Sequence, residues 1–258
     1  MNVIIEVDKL TRRFGKMTAV DGISFNVNEG EIFGFLGPNG AGKTTTISML
    51  CTILHPTSGT ARVACCDVSK DPQKVRQQIG IIFQDPSLDD RLTAEDNLRF
   101  HGYLYHMSRQ TVDQRIPEVL ELVELADRKG DFVRKFSGGM KRRLEIARGL
   151  MHRPKVLFLD EPTLGLDPQT RARIWDYIKK MKKETNLTVF MTTHYMQEAE
   201  VCDRIAIIDH GHIVDLDSPV NLKHNHGEKT LEEVFLKLTG RAIREQAGES
   251  AWSQWMRR

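Results

Sequence analysis

The octapeptide GPNGAGKT, residues 37–44, decides the fold of this chain. It follows the apolar run Ile32–Leu36 and matches the phosphate-binding pattern G-x-x-x-x-G-K-[ST]. Its glycines leave backbone N–H groups free to converge on phosphate oxygens, and a helix that starts near Gly42 would add its positive dipole end. A simple glycine-rich turn is the alternative interpretation. The residues expected at the phosphates are Gly37, Pro38, Asn39, Gly40, Ala41, Gly42, Lys43, Thr44 and Thr45.

Two side chains of this loop are candidates for chemistry. Lys43 would reach the β and γ phosphates, where its charge would assist catalysis, and the Thr44 hydroxyl would ligate Mg²⁺. A second apolar run, 156–159, ends in the carboxylates Asp160 and Glu161. In a parallel sheet ligands gather at the carboxyl ends of the strands, so both motifs are expected at one edge.

The two carboxylates of the acidic pair are expected to have different roles. Asp160 would hold Mg²⁺, directly or through water, and Glu161 would act as the general base on a water facing the γ phosphate. Taken alone, the pair equally suits a solvated strand end. Its combination with the phosphate loop favours a nucleotide site.

Apolar patterning alternates between strands and helices along the chain. Strands are predicted at 3–7, 24–27, 31–36, 60–64, 80–83, 155–159, 188–191 and 204–208. Two helical stripes are Val112, Ile116, Val119, Leu120 and Val123, then Leu231, Val234, Phe235 and Leu238. A capping box of Thr230 and Glu233 begins the second. The order predicts an α/β fold with a mainly parallel core sheet and a small antiparallel β subdomain.

The same pattern predicts how the chain is divided. Residues 1–240 form one α/β domain, with a helical subdomain inserted at about 85–153, where no strand pattern appears. Residues 241–258 form an appended tail. In that tail Ile243, Ala247, Ala251, Trp252 and Trp255 fall near one helical face. The sequence leaves two interpretations of this tail. It could contact a membrane surface or a permease, or it could pack onto its own domain or a dimer mate.

Composition is that of a soluble globular protein. Apolar residues make up 40% and charged residues 28% of the chain, which excludes a disordered or collagen-like protein. The 37 Lys and Arg nearly balance the 35 Asp and Glu, so bulk charge does not indicate nucleic-acid binding. No run approaches the roughly 20 apolar residues that a membrane helix needs. The N-terminal segment does not suit a signal peptide, and the four cysteines are expected to be reduced.

Between the two motifs lies FSGGMKRR, residues 136–143, which resembles the signature sequence of ATP-binding-cassette (ABC) ATPases. Other family motifs match in the family's order. Phe14 resembles its aromatic residue, Gln84 its Q-loop glutamine, and His194 its switch histidine. Residues 164–167 resemble its D-loop. The resemblance covers about 3–240 and implies a P-loop NTPase of the ABC type.

The resemblance also implies a dimer, in which each ATP lies between the phosphate loop of one chain and the Ser137 motif of the other. Ser137 would begin a helix over 137–152, so its hydroxyl and the following N–H groups form an anion site. A two-fold pair would complete both sites. The residues that this implies at the nucleotide are Phe14 on adenine, Gln84 at the metal, Ser137, Gly138, Gly139, Asp167, and His194 on the γ phosphate.

Several assignments have an alternative or a limit. Phe14 would also suit a core position, and His194 a structural one. Gln84 is expected to relay the nucleotide state to the helical insertion, and with Glu161, His194 and Lys43 it completes the candidate catalytic set. The basic run Lys141-Arg142-Arg143 is predicted to be a solvated helix face, with a nucleic-acid patch as the alternative.

The segments 84–90, 136–145 and 230–235 are similar to those of bacterial drug-resistance (daunorubicin-type) exporter ATPases. That resemblance implies an ATP- and Mg²⁺-dependent subunit on the inner face of the cell membrane. It would pair with a second copy of itself or a homologous ATPase and drive a separate membrane permease, with no nucleic acid expected. A soluble ABC ATPase acting on ribosomes or DNA is the alternative. It is disfavoured because one cassette is present, with only about fifty residues between Gln84 and Ser137, too few for a long coiled coil.

Overall fold

The computed structural model describes residues 2–83, 87–164 and 166–240. Its main sheet has the strand order β10-β9-β3-β8-β7-β6, and all neighbours are parallel except the antiparallel pair β9–β10. The strands are β3 Ile32–Leu36, β6 Ile79–Ile82, β7 Val156–Asp160, β8 Thr188–Thr193, β9 Arg204–Asp209 and β10 His212–Asp217. The three central strands β3, β8 and β7 are fully buried, as apolar runs in a parallel sheet should be.

A second sheet is wholly antiparallel and has the order β2-β1-β4-β5. Its strands are β1 Val3–Phe14, β2 Met17–Asn28, β4 Ser58–Val63 and β5 Cys66–Asp67. The long β1–β2 hairpin alternates buried and exposed residues because one face packs on the core. This confirms the predicted antiparallel part of the fold.

Helices occupy the remaining regular segments. They are α1 Lys43–Leu50, α2 Pro72–Gln78, α3 Ala94–Leu104, α4 Arg109–Leu122, α5 Gly138–Gly149, α6 Pro168–Thr185, α7 Met196–Ala199, α8 Pro219–His226 and α9 Leu231–Thr239. The predicted apolar stripe of α4 is buried, and the predicted capping box begins α9. Helix α5 begins where predicted but ends at Gly149 rather than at residue 152.

Alternation along β3 divides the core into two layers. Phe33 and Phe35 face the antiparallel sheet, where they pack with Phe25, Phe158 and Phe190 at ring-centre distances of 5.4–6.0 Å. Ile32 and Leu36 face the opposite layer, formed by the longer helices. The main sheet is therefore covered on both faces and is held rigidly between them.

Each of the eight predicted strands is present, with ends shifted by a few residues, and in β1 and β2 by more. The sequence patterns missed the edge strands β5 and β10 and helix α2. Between residues 87 and 153 the structure shows helices and a single isolated bridge, Thr93 to Phe132. No helix in the described ranges is long and apolar enough to cross a membrane.

Candidate functional site

Three adjacent parallel strands deliver the candidate residues to one edge of the main sheet. β3 leads into Gly37 and the phosphate loop, β7 ends at Asp160 with Glu161 next, and β8 ends one residue before His194. The order β3-β8-β7 makes these ends neighbours. A hydrogen bond from Gly37 N–H to the Thr193 carbonyl, 3.4 Å, joins the phosphate loop to the end of β8. The two predicted motifs are thus brought together as expected.

The phosphate loop turns tightly into helix α1. Gly42 has φ 106°, in the left-handed region, and a Cβ there would lie 2.5 Å from the Ala19 carbonyl oxygen, so the position requires glycine. No side chain caps α1, and its intrahelical hydrogen bonds begin with Thr46 N–H to Gly42 O. The N–H groups of Lys43, Thr44 and Thr45 therefore have no acceptor within the helix. This is the geometry of an anion-binding helix terminus.

Lys43 places a buried cation at this terminus. Its side chain is 5% exposed, and Nζ donates to the carbonyl oxygens of Gly37 (2.8 Å) and Pro38 (3.1 Å). Nζ also lies 3.7 Å from Glu161 Oε1. Burial lowers the pKa of Lys43, although the charges of Glu161 and Asp160 oppose that shift. The ammonium group is thus held at the mouth of the loop, ready for an anionic ligand.

Asp160 is a buried carboxylate with hydroxyl partners. Thr192 Oγ1 donates to Asp160 Oδ1, and Thr44 Oγ1 lies 3.4 Å from the same atom. Burial raises the pKa of Asp160, against the hydrogen bond from Thr192. The Thr44 hydroxyl and the Asp160 carboxylate are the hard oxygen ligands that Mg²⁺ prefers. No cluster of three or more His, Cys, Asp or Glu that suits a metal occurs in the described ranges.

Glu161 has an unusual backbone. Its φ is 48°, in the left-handed region, and its N–H bonds to both the carbonyl (3.2 Å) and the hydroxyl (3.1 Å) of Thr192. This conformation costs energy in a non-glycine residue, and strained residues of this kind are found at active sites as well as in turns. Burial alone would raise the pKa of Glu161, but contacts with His194 and Lys43 hold it below its ordinary value. The carboxylate therefore stays ionised at neutral pH.

His194 lies against this carboxylate. Its Nδ1 is 3.2 Å from Glu161 Oε1, a close contact whose alignment falls short of a good hydrogen bond. The histidine is 7% exposed and its ring packs on Tyr195, with ring centres 4.2 Å apart. Lys43, Glu161 and His194 thus form a compact group around one carboxylate.

The Ser137 motif forms a separate, exposed region. Ser137 Oγ caps α5 by accepting from Met140 N–H at 3.2 Å, and Ser137 and Gly138 are both exposed. Gly139 packs beside Thr170, which donates through its N–H and hydroxyl to Asp167 at 2.9 and 2.6 Å. Asp167 thereby caps α6. Within the described residues, neither Ser137 nor Asp167 hydrogen-bonds to the phosphate loop.

Four other predictions have different outcomes. Phe14 ends β1 opposite Met17, half-exposed and outside both cores, with the Arg12 guanidinium 4.6 Å from its ring centre. Gln84 and the tail 241–258 lie outside the described residues. The basic run of α5 is not a solvated face: Arg142 is 7% exposed, in an ion pair with the buried Glu145. That prediction was wrong because a guanidinium can satisfy its donors on backbone carbonyls inside the protein.

Sequence patterns also missed Thr192, Thr163 and Glu198. Glu198 is 1% exposed, and its carboxylate accepts from the hydroxyls of Thr163 and Thr193, so it ties the segment after Glu161 to the one before His194. Burial raises its pKa. A single Glu on a short helix carries no signal that would have singled it out.

Comparison with known proteins gives a consistent result. The sequence model of the ABC transporter family matches residues 20–164. The chain is 43% identical to the linearmycin resistance ATP-binding protein LnrL of Bacillus subtilis, over 88% of this chain and 73% of that one. It is 42% identical to the daunorubicin/doxorubicin resistance ATP-binding protein DrrA of Streptomyces peucetius, over 88% of this chain and 69% of that one.

A solved structure gives the same result for the fold. It is the dimeric, post-hydrolysis ATP-binding cassette MJ0796 bound to ADP and Pi, with a TM-score of 0.75 and 27% identity. The match covers 83% of this chain and 98% of that one. With the family model spanning more than half of the sequence, the chain belongs to the ABC transporter family as an ATP-hydrolysing, ATP-binding subunit.

Proposed function

We propose that ATP binds at the carboxyl edge of β3, β8 and β7, with its phosphates on residues 37–45. The N–H groups that begin α1 and the Lys43 ammonium would bind the β and γ phosphates. Phe14 would stack on the adenine, and Thr44 and Asp160, with Gln84, would hold Mg²⁺. Bound there, the ion would neutralise charge that develops on the phosphates.

Glu161 is proposed as the general base and His194 as the residue that senses the γ phosphate. The observation that carries this assignment is the contact group in which Lys43 Nζ and His194 Nδ1 approach the same Glu161 oxygen at 3.7 and 3.2 Å. The strained backbone and the two bonds from Glu161 N–H to Thr192 fix the carboxylate against the sheet edge. It can take a proton from water there, while Lys43 stabilises charge on the phosphate.

We further propose that two chains close head to tail, so that Ser137, Gly138 and Gly139 of one meet the ATP of the other, near Asp167. Two features support this. The Ser137 terminus is exposed and separate from the phosphate loop of its own chain. A two-fold axis satisfies both sites at once, because each surface then meets the other's counterpart. ATP binding would close the pair, and hydrolysis would release it.

The partner in the membrane is proposed to be a separate permease of a drug exporter, as the names of LnrL and DrrA suggest. Its docking surface would include α3, where Phe100, Tyr103 and Leu104 are 60%, 44% and 58% exposed. Large exposed apolar side chains on one helix indicate an interaction surface. This surface adjoins Arg148 and Ser87, which is three residues from Gln84 in the sequence.

Replacement of Glu161 by Gln tests the catalytic assignment. Glu161→Gln keeps the size of the side chain and the contacts of Lys43, so ATP affinity should stay within about twofold, while kcat should fall by about 10²–10⁴ for a lost general base. Glu200→Gln, on an exposed carboxylate paired with Lys223, is the matched control. ATP affinity and steady-state phosphate release are the measurements. Turnover near wild type in Glu161→Gln would contradict the proposal.

The transport role has its own test. Co-purification from membranes with a polytopic protein supports a permease partner, whereas co-sedimentation with ribosomes would support the alternative ABC ATPase. The measurement does not depend on the catalytic assignment, so either proposal can fail alone.

A further inference from the structure

Arg142 occupies an unusual position for a charged residue, inside the protein on helix α5. Its Nε donates to the Pro162 carbonyl at 2.6 Å, and its Nη2 reaches the carbonyls of Asp160 (3.5 Å) and Glu161 (3.4 Å). Its Nη1 donates to the Phe83 carbonyl at 2.5 Å. One guanidinium therefore hydrogen-bonds to several backbone carbonyls around the proposed catalytic carboxylate.

Glu145, one turn along α5, completes the arrangement. It is 1% exposed, its Oε2 accepts from Arg142 Nη1 at 3.1 Å, and its Oε1 accepts from Ser87 N–H at 2.8 Å. Phe83 and Ser87 lie on either side of residues 84–86. The Arg142–Glu145 pair thus hydrogen-bonds to the residues on both sides of that segment.

Helix α5 is capped by Ser137, the residue proposed to meet the ATP of a second copy. We propose that Arg142 and Glu145 are a positioning pair that links this terminus to the catalytic strand end of the same chain. Through the pair, a shift of α5 on meeting the second chain's nucleotide is transmitted to the backbone at Glu161 and to the flanks of 84–86. The inference rests on the proposed roles of Ser137 and Glu161.

The neighbouring arginine shows that the arrangement is specific. Arg143 lies on the same helix and is 15% exposed, but it donates to the Val123 carbonyl (3.1 Å) and pairs with Glu124 (3.6 Å), in the helical region. Among the described residues, Arg143 makes no hydrogen bond to the end of β7. Breaking a buried ion pair from one side leaves an uncompensated charge, whereas replacing both partners is often tolerated. These properties provide a matched control and a double variant.

The test compares Arg142→Lys with Arg143→Lys in the full chain. Lysine keeps the charge, but its three N–H donors lie on one nitrogen and cannot span the acceptors that Arg142 reaches from Nε, Nη1 and Nη2. Arg142→Lys should lower kcat at least tenfold with ATP affinity within twofold, because Arg142 does not contact the phosphate loop. Arg143→Lys should keep kcat within twofold. Circular dichroism and thermal melting establish that both variants are folded at the assay temperature.

The double variant tests whether the two residues act as a unit. Arg142→Met with Glu145→Met should lower kcat no more than Arg142→Met alone, because the link is already broken. A folded Arg142→Lys with kcat within twofold of wild type would overturn the inference, as would equal losses in the two lysine variants or strictly additive effects. If Glu161→Gln retains turnover, the proposed function itself fails. An enzyme that needs Glu161 but tolerates Arg142→Lys overturns only this inference.

Discussion

Two helix N-termini in this chain are suited to phosphate, and they are built in different ways. Helix α1 follows Gly42, has no side-chain cap, and begins with the buried Lys43. Helix α5 follows Ser137, whose hydroxyl already caps it, and its first residues are exposed. The first terminus is surrounded by Thr44, Asp160 and Glu161, whereas the first turn of α5, Gly138 to Lys141, has no buried ionised side chain.

The difference indicates that the α1 terminus is the main nucleotide site and that the α5 terminus completes the nucleotide site of another chain. The α1 region has a cation, metal ligands and a base within one chain, so it can bind nucleotide alone. The α5 region offers N–H donors and one hydroxyl, which keeps its O–H free to donate while its oxygen accepts from Met140. Such a surface can donate further hydrogen bonds to a phosphate that another chain already binds. Removing the Lys43 ammonium from the first region should therefore weaken ATP binding, whereas removing the Ser137 hydroxyl from the second should lower turnover of ATP that is already bound.

Removal of the Lys43 ammonium should break the first region. Lys43→Ala deletes charge-assisted hydrogen bonds to phosphate, so ATP Kd should rise about 100-fold, equivalent to about 2.7 kcal/mol. Equilibrium binding of a fluorescent ATP analogue measures it. Lys74→Ala, at an exposed lysine paired with Asp71, should leave Kd within twofold. Equal affinities in the two variants would contradict the role of Lys43.

Two capping serines sharpen the comparison. Ser137 and Ser108 each accept from the N–H three residues on, at 3.2 and 3.1 Å. Replacing either by Ala should cost about 1 kcal/mol of stability and lower Tm by about 2–4 °C. Only Ser137→Ala should also lower kcat at saturating ATP, by about tenfold, because only this serine would meet a phosphate.

Steady-state turnover and thermal melting of both variants decide the matter. Equal kcat values at equal loss of Tm would reduce Ser137 to a structural cap. The proposed head-to-tail pairing would then lose its main support in this chain.

Much of this arrangement could be predicted from sequence because its signals are local. Short apolar runs predicted the buried strands β3, β7 and β8, and the residues that end them follow directly in the chain. A parallel sheet then brings those ends to one edge without knowledge of distant contacts. The capping box at Thr230 and the stripe of α4 are equally local and were also confirmed.

The remainder depends on contacts between distant parts of the chain. Arg142 bonds to Phe83 and Pro162, 59 and 20 residues away, and nothing in its own neighbourhood indicates burial. Glu198 is buried against Thr163, 35 residues away in the chain. Strand β10 is a half-exposed edge strand, so its apolar signal is weak. Partners of this kind are set by the tertiary fold and not by the local pattern.

The smallest expected effect is a change in thermal stability on replacing Asp160, in the first region. Asp160 is a buried carboxylate beside Glu161, and burial raises its pKa, so its ionised form is disfavoured in the folded chain. Asp160→Asn keeps an oxygen for the hydroxyls of Thr192 and Thr44 and removes the charge. Without nucleotide the variant should be more stable by about 1 kcal/mol, raising Tm by about 2–4 °C. Asp96→Asn, on the exposed first turn of α3, should not raise Tm.

The pH dependence of this gain has a defined sign. A carboxylate whose folded pKa is raised binds its proton more tightly in the folded state, so it destabilises the fold once ionised. The Tm advantage of Asp160→Asn should therefore be largest near neutral pH and disappear as the pH falls toward the ordinary pKa of an aspartate. Thermal melts of both proteins across that range measure it. An advantage that stayed constant with pH would show that the Asp160 charge is not its source, and the buried site would then carry no stability penalty for its chemistry.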